Sequence, residues 1–554
     1  VLTGILALLV AAGCPKSDAP TPSPTRDAPA AVALRDVTSD SGLTYRWEIA
    51  GKRPLNILQT IGNGCAFLDY NNDGNLDILL VGPKPALFQG DGKGRFTDVT
   101  STAFGDLSGH FLGVAVGDID NDGFDDLYLS GFRDGRLLRN ESGKRFVDIT
   151  KASGLKPQPW GTSASFVELE PGSGRLDLVI GNYARFGPEA AFRQLCESKD
   201  VAGKPVLTSC GPRQYQPLPA VLYRNLGGGR FAETLLKQTT GRGLGVAAAD
   251  IDGSGRPSVS FANDEIAGDL LHNLGGYRFK NIAEASSTAY DRDGNVHGGM
   301  GTDWGDFDGD GRLDLVVATF QNEPKSLYRN EGELLFSDVA YPAGIGMATA
   351  PFVAFGVKFC DLNNDGWLDL VFANGHVQDN IAAIDPSTQY RQAAQAFLNK
   401  GADAAGRVAY TDISASLPNL RKPIVGRGLA TGDYDNDGKV DLLLIDSEGT
   451  PILLHNESAR IGHSLSVRLV GKRANRNGYG AIVTATVGGR TIVRHCHADG
   501  SYLSSSDVRV HLGLGAANNV ETLEVLWPGG NRQLVTNVKT DRTITIREGE
   551  APEP

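Results

Sequence analysis

Five copies of one nine-residue pattern, Asp-x-Asp/Asn-x-Asp-Gly-x-x-Asp, are spread along this chain, at Asp69–Asp77, Asp118–Asp126, Asp306–Asp314, Asp361–Asp369 and Asp433–Asp441. Hard oxygen donors fall at positions 1, 3, 5 and 9 of each copy, and glycine stands at position 6, where a tight loop has to turn sharply. That donor set suits Ca2+. The candidate ligands are Asp69, Asn71, Asp73 and Asp77, then Asp118, Asp120, Asp122 and Asp126, then Asp306, Asp308, Asp310 and Asp314. The last two copies supply Asp361, Asn363, Asp365 and Asp369, and Asp433, Asp435, Asp437 and Asp441. An EF-hand would carry a bidentate Glu at position 12, but here that position holds Leu80, Leu129, Val317, Phe372 and Leu444. The ninth residue instead leads straight into an apolar run such as ILLV or LVFA, so each loop is expected to join two strands of a hairpin.

The loops belong to a longer unit. Behind each apolar run come a Leu-Tyr-Arg-Asn-like segment, as at 222–225 and 327–330, and a Phe-x-Asp-Val-Thr-like segment, as at 96–100 and 146–150. Four strands recurring about every 50 residues indicate propeller blades. Two further loops are degenerate: Glu168–Asp177 has one extra residue and Gly172 in place of an acid, and Asp250–Ser258 has serine at its fifth and ninth positions. Both are expected to keep the hairpin and to bind calcium poorly. Together the loops predict seven blades. The seventh unit has no fourth strand of its own, but ALRDVTSDSGL at 33–43 resembles RFVDITKASGL at 145–155, so the N-terminal segment is expected to close the last blade and remove two open sheet edges. The propeller then spans 33–460. Alternating strands from 461 to 548, separated by Gly, Asn and Asp turns, predict a small β-sandwich, with 549–554 as a tail.

Residues 1–14 form a short apolar run ending Ala-Ala-Gly-Cys, too short for a membrane span and suited to export. The last four residues resemble a bacterial lipobox, which makes Cys14 the expected lipidation site and a lipid anchor the only membrane attachment. An ordinary cleaved signal peptide is the alternative. Residues 15–32 are rich in Pro, Ala and Ser/Thr and read as a tether. Cys196 and Cys210 flank one polar insert, and in an oxidising compartment they are expected to pair. Cys65 and Cys360 read as buried small residues. The formal charge of −12 is mostly explained by the loop carboxylates, which five Ca2+ would largely offset, and no Lys/Arg-rich stripe suggests nucleic acid.

The Cys-x13-Cys-Gly-Pro insert and the tail segments Asn477–Ala481, Gly500–Leu503, Leu512–Gly515 and Trp527–Gly530 resemble the cartilage-acidic-protein-like bacterial family, in which FG-GAP/VCBS propeller repeats precede an ASPIC/UnbV domain. The resemblance implies an all-β chain: a seven-bladed β-propeller with integrin-like calcium loops, followed by a small β-sandwich. It also implies a calcium-bound, exported interaction protein and no settled enzymatic activity; the five intact loops set the expected number of Ca2+ at about five. The weak third and fourth loops and His495-Cys496-His497 depart from the pattern. Alternation puts both histidines on one strand face, readable as half a metal site or as solvent-facing side chains.

The two long insertions, near 182–220 and 374–395, both follow second strands and so decorate the face opposite the calcium loops. His110, Trp160, Arg242, His297 and Arg427 are expected on that face, readable as a rim for an anionic ligand or as arginines bonded to loop carbonyls. No catalytic motif appears. The leading expectation is an adhesion or ligand-binding module for an extracellular or envelope protein or glycan. The alternatives are a polysaccharide-active enzyme using His, Arg and Asp of that face, and a scaffold.

Overall fold

The second strands of the repeats are unbroken apolar runs because each is covered on both faces, as in Asp126–Gly131, where every residue is buried. In the computed structural model, which describes residues 32–187, 194–459 and 461–551, these runs sit inside four-stranded antiparallel sheets. Cys14 and all but the last residue of the Pro-rich stretch lie outside the described residues. Among the described residues seven such sheets carry the repeats. Their first strands are Cys65–Leu68, Phe111–Gly117, Gly161–Val167, Gly243–Ala249, Thr302–Gly305, Ala354–Cys360 and Gly426–Gly432. Each lies against the first strand of the next sheet and the last lies against the first, so the series closes into a propeller ring. Leu34–Asp36 takes the outer place in the last sheet, with Leu34 opposite Asn456 and Asp36 opposite Leu454. The two ends of the ring are therefore held in one sheet.

Apolar side chains fill the wedge between neighbouring sheets. Leu68, Leu79 and Val81 of the first sheet meet Val114, Val116, Leu127 and Leu129 of the second, all buried. Full burial of one such side chain is worth roughly 1.5–3 kcal/mol.

The carboxy-terminal domain has two sheets. One orders Arg490–His495, Ile482–Val487, Asn519–Leu526 and Arg532–Lys539, and the other Val510–Gly515, His463–Val470 and Arg542–Arg547. Leu465, Val467, Val483, Ala485, Leu523, Val525 and Ile544 pack in one core between them. His463–Val470 and Arg542–Arg547 run parallel, a pairing that alternation does not reveal. Among the described residues no helix is long and apolar enough to cross a membrane.

Candidate metal centres beneath the carboxy-terminal domain

The acidic loops join the first and second strands of their sheets. Positions 4 and 6 of each loop take left-handed backbone conformations, for example Asn121 at φ 61° and Gly123 at φ 96°. Asn or Gly at position 4 follows from this, since other side chains resist that region. The resulting curl turns the first carboxylate onto the loop's own backbone: Asp118 accepts from the N–H groups of Asp122 (3.1 Å) and Gly123 (2.7 Å). The ninth carboxylate ties the hairpin to the third strand. Asp126 accepts from Ile119 N (3.0 Å) and Asn140 N (2.7 Å), and Asp77, Asp314, Asp369 and Asp441 do the same in their sheets.

The asparagine of the Leu-Tyr-Arg-Asn segment reaches further. Asn140 Nδ2 donates to the Tyr70 carbonyl in the preceding sheet's loop at 2.8 Å. Asn225, Asn273, Asn330, Asn399 and Asn456 repeat this onto Ile119, Leu169, Ile251, Phe307 and Leu362. The repeat is visible in the sequence, but this clasp between blades is not, because it joins residues 70 to 106 positions apart.

Asp118, Asp120 and Asp122 bring ligand oxygens within 4.8 Å of one another, as do Asp306, Asp308 and Asp314, and Asp433, Asp435 and Asp441. His455, which the sequence reading did not single out, forms a further such group with Asp435 and Asp437, and its Nδ1 lies 3.2 Å from Asp441 and 3.7 Å from Asp435. In the first and sixth loops the position 3 amides of Asn71 and Asn363 donate to Asp73 and Asp365. Burial, with neighbouring carboxylates adding to it, pushes Asp77 up to about 8 and Asp118, Asp306, Asp361 and Asp433 up to about 7. Among the described residues, Asp120 Oδ1 and Asp435 Oδ1 are buried without a hydrogen-bond partner. Crowded, partly orphaned carboxylates with hard oxygen donors fit Ca2+, which would supply the missing countercharge.

The degenerate loops keep their hairpins and spend their acids differently. Glu168 Oε1 accepts from Gly174 N (2.8 Å), while Oε2 accepts from both the backbone N and the Nδ2 of Asn475 at 2.9 Å. That carboxylate anchors the carboxy-terminal domain. In the fourth loop Asp252 lies 3.7 Å from His272.

The domain covers this side of the ring through the loops themselves. Asn477 accepts from Asp118 N and donates to Asp125, Arg490 donates to the carbonyls of Asp365 and Gly366, and Arg509 donates to that of Asp433. From this base residues 499–507 enter the ring axis and touch every sheet. Ser505 pairs with Cys65 and Phe67, Leu503 with Val114 and Ser163, and Asp499 accepts from Ala248 N. Ser501 O accepts from Thr302 N, Lys358 Nζ donates to Asp499 O, and Asp507 N donates to Thr431 O. The axial glycines make room for this segment: a Cβ on Gly64 would sit 1.7 Å from Leu503 O. Asp499–Asp507 is short, polar and aperiodic, so no pattern in it announces this role.

The opposite face corrects the anionic-rim reading. Arg427 is fully buried, with Nε and Nη2 donating to Thr60 O at 2.9 and 2.7 Å and further bonds to Gly375, Gly426 and His376 carbonyls. Arg242, also buried, donates to Tyr215 O and, at 3.5 Å, to Glu265 O. Trp160 is buried against Phe132, Tyr183 and Phe186, and His297 is buried with Nε2 3.3 Å from Tyr328 Oη and pushed down to about 4 by that burial. Only His110 of the five is exposed. The insertions cover part of the face, with Tyr183 and Phe186 on Trp160, Tyr215 O on Arg242 and the Gly375 and His376 carbonyls on Arg427, while Thr60 reaches Arg427 from the segment before the first sheet. Cys196 and Cys210 form a disulfide, and the hairpin of Leu195–Lys199 and Pro205–Ser209 reaches the sixth sheet's insertion, where Val201 N donates to Ala383 O and Asn380 Nδ2 to Leu207 O. His495 is likewise buried rather than solvent-facing, stacked on His497 at 4.7 Å.

Residues 69–129 and 306–372 match the FG-GAP-like repeat family, and residues 471–553 match ASPIC and UnbV. The chain is 27% identical to cartilage acidic protein 1 of Xenopus tropicalis over 526 residues, 84% of this chain and 70% of that protein. It is 26% identical to the Homo sapiens protein of that name over 535 residues, 88% and 71% of the two chains. Among solved structures, an Agrocybe aegerita lectin that recognises non-reducing terminal N-acetylglucosamine aligns with 63% of this chain and 80% of its own at 17% identity and TM-score 0.38. BBS1N in complex with ARL6DN aligns with 75% and 97% at 11% identity and TM-score 0.40. The chain thus carries segments that match FG-GAP-like repeats and ASPIC and UnbV, and over most of its length it is similar to cartilage acidic protein 1.

Proposed function

We propose that the protein is an exported, calcium-binding propeller acting as an adhesion or ligand-binding module, held at the cell envelope by a lipid on Cys14. The observation that carries the calcium reading is the pair of orphaned buried carboxylate oxygens, Asp120 Oδ1 and Asp435 Oδ1, in loops whose other donors are hard oxygens. Calcium here is a structural ion that stiffens the loops on which the carboxy-terminal domain rests. A macromolecular partner, an extracellular or envelope protein or a glycan, is then met on the opposite face. The 195–209 hairpin stands there with Val201 69% and Leu207 52% exposed, and exposed apolar side chains on a braced loop suit contact with a partner. Burial of Arg242, His297 and Arg427 on that face favours binding over catalysis. The test is a glycan and envelope-fraction binding screen with and without EDTA, repeated with residues 199–205 replaced by a Gly-Ser turn. Binding lost in EDTA and in the turn variant supports the reading; binding that survives both overturns it.

A further inference from the structure

An open cleft of about 650 Å3 remains between the carboxy-terminal domain and the first and second acidic loops. Arg468, Arg476 and Arg547 line it from the domain, and Asp69 and Asp118, the first candidate ligands of those loops, line it from the ring. Arg468 reaches Asp69 only at 3.6 Å and donates to Asn72 Oδ1 at 2.8 Å, with 39% of its side chain exposed. The Arg476 backbone donates to Asn121, but among the described residues its guanidinium makes no hydrogen bond or ion pair; it stands beside Gly123 of the second loop.

Arg468 and Arg476 gain a need for an anion once the loops are loaded. Ca2+ in each of the two loops would consume the negative charge of Asp69 and Asp118 that faces them, leaving guanidinium groups opposite dications across the cleft. An anionic ligand relieves both at once, since guanidinium forks take carboxylate or sulfate groups in two-pronged contacts. Thr543 on the same wall offers a hydroxyl suited to sugar hydroxyls. We propose that this cleft is a calcium-gated site for an acidic oligosaccharide, roughly two to three sugar rings long by volume. The site is separate from the insertion-bearing face and rests on the calcium reading above.

The experiment is titration calorimetry of the full chain with a sulfated, a carboxylated and a neutral trisaccharide and an acidic tripeptide, in Ca2+ and in EDTA, with calcium content measured on the same samples. The expected result is binding of a charged trisaccharide only, weakened about tenfold or more by Arg468→Gln and by Arg476→Gln, and weakened similarly in EDTA. The sulfated and carboxylated arms tell which acid group is taken. Because, among the described residues, the Arg476 guanidinium makes no hydrogen bond or ion pair, Arg476→Gln should leave the melting temperature unchanged, which separates lost binding from lost structure. Equal affinity of wild type and both variants, or preference for the neutral sugar or the peptide, overturns the site. Arginine-dependent binding indifferent to EDTA in a protein shown to carry calcium overturns the gating. Protein that takes up no calcium overturns the calcium reading, leaving the arginine arm to be judged on its own.

Discussion

Replacing Arg427 by Ala distinguishes a structural arginine from a ligand contact. Its guanidinium is fully buried, lies 3.9 Å from the centroid of the Phe355 ring, and donates to the carbonyls of Thr60, Gly375, Gly426 and His376. These acceptors belong to the sixth and seventh sheets and to the segment leading into the first, so one side chain ties three parts of the ring. Removing it leaves buried carbonyls without donors at about 1–3 kcal/mol each, partly relieved by water entering the space, for a net loss of about 4 kcal/mol. Arg242 has one good bond, to Tyr215 O at 3.1 Å, one marginal bond, and an unpartnered Nε. Its loss should cost about 1–2 kcal/mol. For a ring of this size unfolding as a unit, about 4 kcal/mol corresponds to roughly 4 °C. Calorimetric scans in saturating Ca2+ should therefore show Arg427→Ala falling by at least twice as much as Arg242→Ala, with ligand affinity of the folded protein unchanged. An unchanged melting temperature for Arg427→Ala, or a selective loss of anion binding, would refute the reasoning.

Three further outcomes follow from particular contacts. In EDTA the buried loop acids have folded pKa values near 7 to 8, for Asp77, Asp118, Asp306, Asp361 and Asp433, against about 4 in the unfolded chain. Raised folded values favour the protonated native state, so their stabilising contribution is full below pH 4 and is lost as pH rises through 7 to 8. The metal-free melting temperature should thus fall from pH 5 to pH 8, while the calcium-loaded one should not; a flat EDTA profile would reject this. Glu168→Gln weakens the anchor to Asn475, by about 1–3 kcal/mol for bonds to a charged acceptor. Limited proteolysis should then release the domain from 461 onward faster, and an unaltered cleavage rate would count against the anchor. Deleting residues 33–43 removes the strand paired with Pro451–Asn456 and should give less soluble, less stable protein, whereas deleting 15–30 should do little. Equal behaviour of the two deletions would contradict closure of the last sheet by the N-terminal segment.

Much of the ring was legible because its chemistry repeats. The alternate acids, the glycine at position 6 and the apolar run behind each loop recur in register, and each reports a local necessity: an oxygen donor, a left-handed turn, a doubly covered strand. The likeness of residues 33–43 to 145–155 similarly marks the strand opposite Pro451–Asn456. What stayed hidden is what depends on distant partners. Asn140 looks like any polar residue ending a strand until Tyr70 is seen beside it. Arg242 and Arg427 could be read from sequence either as a ligand rim or as bonded to loop carbonyls, because nothing in their neighbourhood says which carbonyls lie near them. Loop length says nothing about the direction in which an insertion folds, and the carbonyls on Arg242 and Arg427 come partly from the insertions and partly from other loops, Thr60 among them. Residues 499–507 show no period because they pair with seven different strands in succession rather than with one neighbour.

Calcium stoichiometry tests the central claim most directly. The protein, dialysed against Ca2+ and then freed of unbound metal, should hold about five Ca2+ per chain by elemental analysis, one for each loop with oxygen donors at positions 1, 3, 5 and 9. Asp118→Asn with Asp126→Asn should lower the count by one, Glu168→Gln should leave it unchanged, and EDTA should lower the melting temperature, restored by Ca2+ more than by Mg2+. Protein holding no calcium, with the same melting temperature in EDTA as in Ca2+, would contradict the account.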